Sequence, residues 1–162
     1  MSASSTLTRA STPNRSLVGQ VVLPDDGRFD EARRAWNLAV DQRPAAVIFP
    51  ESATEVAAAI GYAAERGLRV AAQGTGHSAG PLGSLADTVL IRTDRMRGIR
   101  IDPRARVARV EAGVLWLEVV RAAAPYGLAA LAGSSPDVGV TGYTLGGGLS
   151  VLGRTCGRDR DR

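Results

Sequence analysis

The sequence predicts an α+β domain, on three observations. Short apolar runs bracket one well-capped helix in the order β-α-β, several strands then follow with no room for helices between them, and α-β comes last. That order is not the strict alternation of a doubly wound sheet. With 162 residues, 44% of them hydrophobic and 22% charged, the chain has the length and composition of one folded domain. At this size roughly 68–70% of the extended surface is buried on folding, so a core forms without disulfides. The single cysteine, Cys156, excludes an intramolecular disulfide and any multi-cysteine metal site.

Residues 1–14 are rich in Ser and Thr and hold no apolar stretch of signal-peptide length, which predicts a disordered leader and a cytoplasmic protein. Residues 15–42 read as an N-terminal helical segment. Within it Phe29, Ala32, Trp36 and Ala39 recur at helical spacing and predict a helix over Asp25–Val40. Ala45–Phe49 is a buried strand ended by Pro50. Ser52 and Glu55 then stand at capping-box spacing, and the helix they open runs through Val56, Ile60 and Ala63 to a C-terminal Gly67. Strands follow at Leu68–Ala72, Thr88–Arg92, Ile99–Asp102 and Val107–Ala112. A second helix spans Leu115–Ala124, carrying Trp116 and Val119/Val120, and ends near Pro125. The apolar run Leu128–Leu131 leads into a glycine-rich segment, Gly133–Gly148.

The net charge is +4, and every basic residue is arginine. Arg154, Arg158, Arg160 and Arg162 against Asp159 and Asp161 place half of that excess in the last nine residues. The rest of the chain lacks the clustered basic stripe of a nucleic-acid-binding protein. No apolar run is long enough for a membrane helix. Neither a nucleic acid nor a membrane is therefore an expected partner.

Directly after the strand Leu68–Ala72 comes Gln73-Gly-Thr-Gly-His-Ser-Ala-Gly80. Gly74, Gly76 and Ala79 match the spacing of a dinucleotide fingerprint, with Asp94 near the offset of a ribose acid. A nicotinamide fold, however, opens a helix inside that motif. Here Gly80-Pro-Leu-Gly83 follows at once, and three helical turns do not fit before the next strand. The loop still suits an anion, because closely spaced glycines let backbone N–H groups turn inward as a nest. His77, the one histidine, lies inside this loop. It has neither the partners of a metal site nor those of a catalytic triad. A neutral imidazole is a competent nucleophile near neutral pH, so it could tether an electrophilic cofactor.

The segment Gly133-Ser-Ser-Pro-Asp-Val-Gly-Val-Thr-Gly-Tyr-Thr-Leu-Gly-Gly-Gly148 is too glycine-dense for a hairpin. Such backbone permits close contact with a flat ring or a phosphate. Val138, Val140, Tyr143 and Leu145 supply side chains to pack it.

Together the RPAAVIFPESATEV opening, the QGTGHSAG loop, the VEAGVLW segment and SPDVGVTGYTLGGGLSVLGR resemble the FAD-binding domain of the FAD-linked oxidases. These are the berberine-bridge-enzyme-like group, with a PCMH-type flavin domain of two small α/β subdomains. The resemblance runs from about Arg43 to Gly157, with residues 158–162 as a polar tail. It implies that Gln73, Gly74, Thr75, Gly76, His77 and Ser78 wrap the FAD pyrophosphate. It further implies that His77 is bonded covalently to the flavin, and that Ser135, Pro136, Val138, Gly139, Gly142, Tyr143, Gly146, Gly147 and Gly148 pass along the rest of the cofactor. The implied reaction moves a hydride from a substrate C–H to flavin N5, with reoxidation by dioxygen. The implied substrate is a sugar, an alcohol or a secondary metabolite.

Two departures qualify the resemblance. Doubly tethered members carry a cysteine where this chain has Ser135, so one bond, through His77, is expected, and Cys156 reads as an incidental thiol. Family members also continue beyond this length with a substrate domain that supplies the catalytic base. The chain therefore reads as an N-terminal piece, incomplete at the C-terminus by a premature stop or frameshift, without a catalytic base or a metal site and inactive alone. A nicotinamide-binding module and a remnant domain that holds no cofactor are the alternatives.

Overall fold

A computed structural model describes Leu17 and residues 20–156. The expected leader, 1–14, and tail, 158–162, lie outside the described residues. In chain order the elements are β1 (Val21–Val22), α1 (Phe29–Ala32), β2 (Ala46–Ile48), α2 (Ala53–Ala64), β3 (Arg69–Gln73), β4 (Thr88–Arg92), β5 (Ile99–Asp102), β6 (Val107–Val110), α3 (Trp116–Ala123), α4 (Val140–Leu145) and α5 (Gly153–Cys156). Four strands form one sheet in the order β1-β2-β4-β3, and β5 and β6 form a separate hairpin. This is the mixed α/β architecture expected, in two small units.

The sheet is built around β4, whose five residues are all buried. It pairs in parallel with β2 on one side and β3 on the other, while β1 adds an antiparallel edge to β2. Successive side chains leave opposite faces of a strand. Ala46, Ile48, Val89 and Ile91 accordingly join Ala59, Tyr62 and Ala63 of α2 in one layer. Val47 and Leu90 point to the other face, against Phe29, Ala32 and Leu85. The cap of α2 is as the sequence predicts at Ser52, whose Oγ accepts from the Glu55 amide at 3.2 Å. Glu55 reaches back one residue further than a capping box, accepting from the Glu51 amide at 2.6 Å. The buried face of α2 is Ala59, Tyr62 and Ala63, whereas Ile60 is exposed.

Three expectations are corrected. The helix expected over Asp25–Val40 is a single turn, α1. Beyond it Arg92, itself buried, donates through Nη1 to the carbonyls of Ala32 (2.9 Å) and Arg34 (2.8 Å) and binds Asp94. Those bonds end the helix and send the chain across the sheet. The apolar run Leu128–Leu131, in the position of the last strand, makes no ladder among the described residues. Gly127 turns left-handed (φ 66°), and Ala130 and Ala132 pack beside Trp116 instead. Within the glycine-rich segment a short helix, α4, forms that its composition hides. Val138, Val140 and Tyr143 pack as expected, but Leu145 is exposed.

The candidate flavin cleft

A parallel connection must carry the chain from the C-terminal end of one strand back to the start of the next, which takes a dozen or more residues. Between β3 and β4 that task falls to residues 74–87, with one 3-10 turn at Gly80–Leu82 and no α-helix. The absent helix removes the structural requirement of a nicotinamide fold. Asp94, the residue at ribose-acid spacing, is instead committed to Arg92. The loop starts at the C-terminal edge of the parallel strands, the edge where open sheets of this kind bind ligands. Buried Ala79 and Leu85 pin it down. Gly76 takes φ +84°, and a Cβ there would lie 2.9 Å from that of Ala35. Among the described residues the amides of Gly74 through Ser78 donate to no acceptor, which leaves a row of N–H groups for an anion.

The facing wall is built by Pro136–Val140, which runs against Val114–Leu117. The amides of Trp116 and Leu117 donate to the carbonyls of Val138 (3.0 Å) and Pro136 (3.1 Å), and the Val140 amide to that of Val114 (3.0 Å). The start of α3 is fixed by Glu118, which accepts from the Leu115 amide at 2.8 Å and pairs with Arg97 at 2.6 Å. Burial raises the Glu118 carboxyl, but that amide and the Arg97 guanidinium outweigh it and hold the group below its ordinary value. Tyr143 of α4 meets Trp116 edge to face at 5.5 Å. Its ring lies where a Cβ on Gly148 would be, at 2.1 Å, so the glycine there is a steric requirement.

His77 stands on the first wall. Its ring is stacked on Trp36, with centroids 4.1 Å apart and planes 16° from parallel. Nδ1 lies 2.7 Å from Thr75 Oγ1, and Nε2 is buried with no hydrogen-bond partner. Trp36 Nε1–H donates to Asp137 Oδ2 at 2.9 Å, and Ser135 Oγ–H donates to Asp137 Oδ1 at 2.6 Å. The Ser135 hydroxyl, then the indole N–H and the Asp137 amide, hold the Asp137 carboxyl below its usual range.

Between the walls lies a cleft of about 560 Å³, within the range of small-molecule sites. Gln73, Gly74, Thr75, Gly76, His77 and Ser78 line one side, and Val138, Gly139, Gly142, Tyr143, Gly146, Gly147 and Gly148 the other. Ser135 and Pro136 are not in the lining; they lie behind it, against Asp137 and Leu117. The sequence reading did not single out Ala72, Ala79, Leu82, Thr93, Ala112, Thr141 or Leu145 as lining residues, and it missed Trp36 beside His77. A hollow of about 580 Å³ on the hairpin, lined by Arg100, Asp102, Ala105, Val107 and Arg109, has no glycine cradle. No group of three or more metal-ligating side chains occurs among the described residues. Nor is any described helix long and apolar enough to cross a membrane.

Residues 44–162 match the family described as FAD binding domain. The chain belongs to that family. (R)-6-hydroxynicotine oxidase of Paenarthrobacter nicotinovorans is 34% identical over 137 residues, 85% of this chain and 30% of that protein. Glucooligosaccharide oxidase of Sarocladium strictum is 33% identical over 140 residues, 85% of this chain and 28% of that protein. The crystal structure of 6-hydroxy-D-nicotine oxidase from Arthrobacter nicotinovorans superposes with a TM-score of 0.82 at 32% identity, covering 96% of this chain and 33% of that one. Physcomitrella patens BBE-like 1 superposes at 0.81 and 29% identity, covering 93% and 34%. The FAD-binding fold is thus that of the berberine-bridge-like FAD-linked oxidoreductases, and the cofactor is FAD. The chain spans about a third of the length of these relatives. The cleft fits FAD on its own terms, through unpaired amides for the pyrophosphate and glycine-lined walls.

Proposed function

We propose that this chain is the FAD-holding part of an oxidase, with the flavin bonded covalently through His77. The observation that carries the reading is His77 itself: the chain's one histidine, in the cleft wall, with a buried nitrogen that no protein group satisfies. A buried polar atom left without a partner costs about 1–3 kcal/mol, which a bond to a ligand would offset. The Gly74–Ser78 amides bind the pyrophosphate, each such charged bond contributing about 1.5–3 kcal/mol. Val138–Gly148 would hold the rest of the cofactor, and Ser135 is spent on Asp137, leaving one tether. The chemistry FAD supplies when bound is two-electron oxidation of a substrate C–H, with dioxygen as the terminal acceptor. In a protein of the relatives' length the substrate is a sugar, an alcohol or a secondary metabolite.

A denaturing gel viewed for flavin fluorescence tests the reading. The wild type gives a fluorescent band and His77→Ala a dark one. A folded chain that takes up FAD yet releases all of it on denaturation refutes the covalent bond. A folded chain that takes up none supports the remnant reading.

A further inference from the structure

We propose that Trp36 is a positioning residue for His77: its indole, anchored by Asp137, is a shelf that fixes the plane of the imidazole facing the cofactor. The inference rests on the reading that His77 carries the flavin, and it deepens that reading. Trp36 lies before the stretch 44–162 that matches the family, so the match assigns it no part.

The need for a shelf follows from the chemistry of the ring. A bond from an imidazole nitrogen to a flavin methyl carbon would replace one C–H and one N–H bond, with the two protons and two electrons released taken up by dioxygen. That bond requires an uncommitted in-plane lone pair on the nitrogen. Orienting it by hydrogen bonds to both nitrogens would consume that lone pair. His77 is oriented otherwise. One nitrogen meets Thr75, the other is left without a protein partner, and the ring plane is set by face contact with an aromatic surface. A face contact restricts the ring without touching either nitrogen.

The position of the indole is itself over-determined. The Trp36 amide donates to the Thr75 carbonyl at 2.9 Å, tying its backbone to the loop it serves. At the other end the indole N–H is taken by Asp137, whose second oxygen is held by Ser135. Residues 36, 77 and 137 thus close one chain of contacts across both walls of the cleft. Trp36 remains 57% exposed, so burial of its own surface does not account for the placement. A phenyl ring could stack there, but only an indole also supplies the N–H that Asp137 accepts.

The presence of a single histidine makes the test direct. In the full chain with histidine carbon-13 label, the imidazole Cδ2–H and Cε1–H resonances lie upfield of solvated imidazole because of the indole ring current. Trp36→Leu moves them to the solvated position with the backbone amide spectrum otherwise intact. Trp36→Phe restores part of the shift, and it carries the test if the leucine variant does not fold. On incubation with FAD, the covalent yield at a fixed early time falls by roughly two- to tenfold in Trp36→Leu, the spread an aromatic pair's energy allows, and recovers in part in Trp36→Phe. Unchanged resonances in Trp36→Leu overturn the shelf. Moved resonances with an undiminished covalent yield overturn its role toward the cofactor. A wild type with no covalent flavin refutes the tether instead, and the resonances then decide the shelf alone.

Discussion

Replacing Gly76 by alanine probes the point where the N-terminal segment, the loop and the cleft meet. At φ +84° a residue with a Cβ strains its own backbone, at a cost of about 1–2 kcal/mol. The added carbon would also lie 2.9 Å from Ala35 Cβ, 3.0 Å from Ala35 Cα and 3.0 Å from Gln73 Cδ. Ala35 is buried and is backbone-tethered through its neighbour Trp36, so it gives way poorly. Overpacking of that kind costs about 1–3 kcal/mol, for a total of about 2–5 kcal/mol. Urea unfolding of the variant reads the sum. The same substitution in an Ala35→Gly background separates the parts: the Cβ–Cβ clash is relieved, about 1 kcal/mol returns, and the φ strain stays. A loss below about 0.5 kcal/mol, smaller than a typical surface effect, would refute the reasoning. So would an equal loss in both backgrounds, since the Cβ–Cβ contact with Ala35 would then cost nothing.

Two further outcomes follow from the same contacts. Arg92→Leu removes the donors that end α1 and aim the chain at Trp36, leaving the carbonyls of Ala32 and Arg34 and the Asp94 carboxylate without them; urea unfolding should show a loss of about 2–4 kcal/mol, and a lysine at this position should not restore it because it lacks the planar fork. The carboxyl of Asp137 is depressed in the folded chain, so its contribution is present above its ordinary value of 3.8 and is lost as pH falls through the lower folded value. The Trp36 indole N–H resonance should therefore show an acid step below about pH 4, as Asp137 takes up its proton. In Asp137→Asn the acid step should vanish, and an acid step of the same size in that variant would contradict the assignment.

Where residue spacing and local chemistry act alone, the fold was legible. Thr88–Arg92, Ile99–Asp102 and the Ser52-capped helix stand where the sequence puts them, because their apolar pattern and their tertiary burial agree. Trp36 was misread because its spacing from Phe29 and Ala32 fits a helix, while Arg92 and Thr75, distant in sequence, claim the backbone on either side of it. The edge strand Val21–Val22 is two residues long and has no period to detect. The helix Val140–Leu145 sits among glycines that argue against it locally, and it forms because Val140 and Tyr143 pack beside Trp116. At the site the two glycine segments and His77 were readable as motifs. The partnership of His77 with Trp36 and Asp137 was not, since no local pattern links positions 36, 77 and 137.

Proteolysis at arginine releases residues 70–92 as a peptide that contains the chain's one histidine. Mass analysis of the denatured, digested holoprotein should find the flavin bonded to that peptide at His77 and to no other. Flavin recovered only as free FAD, or bonded to a different peptide, would contradict the account.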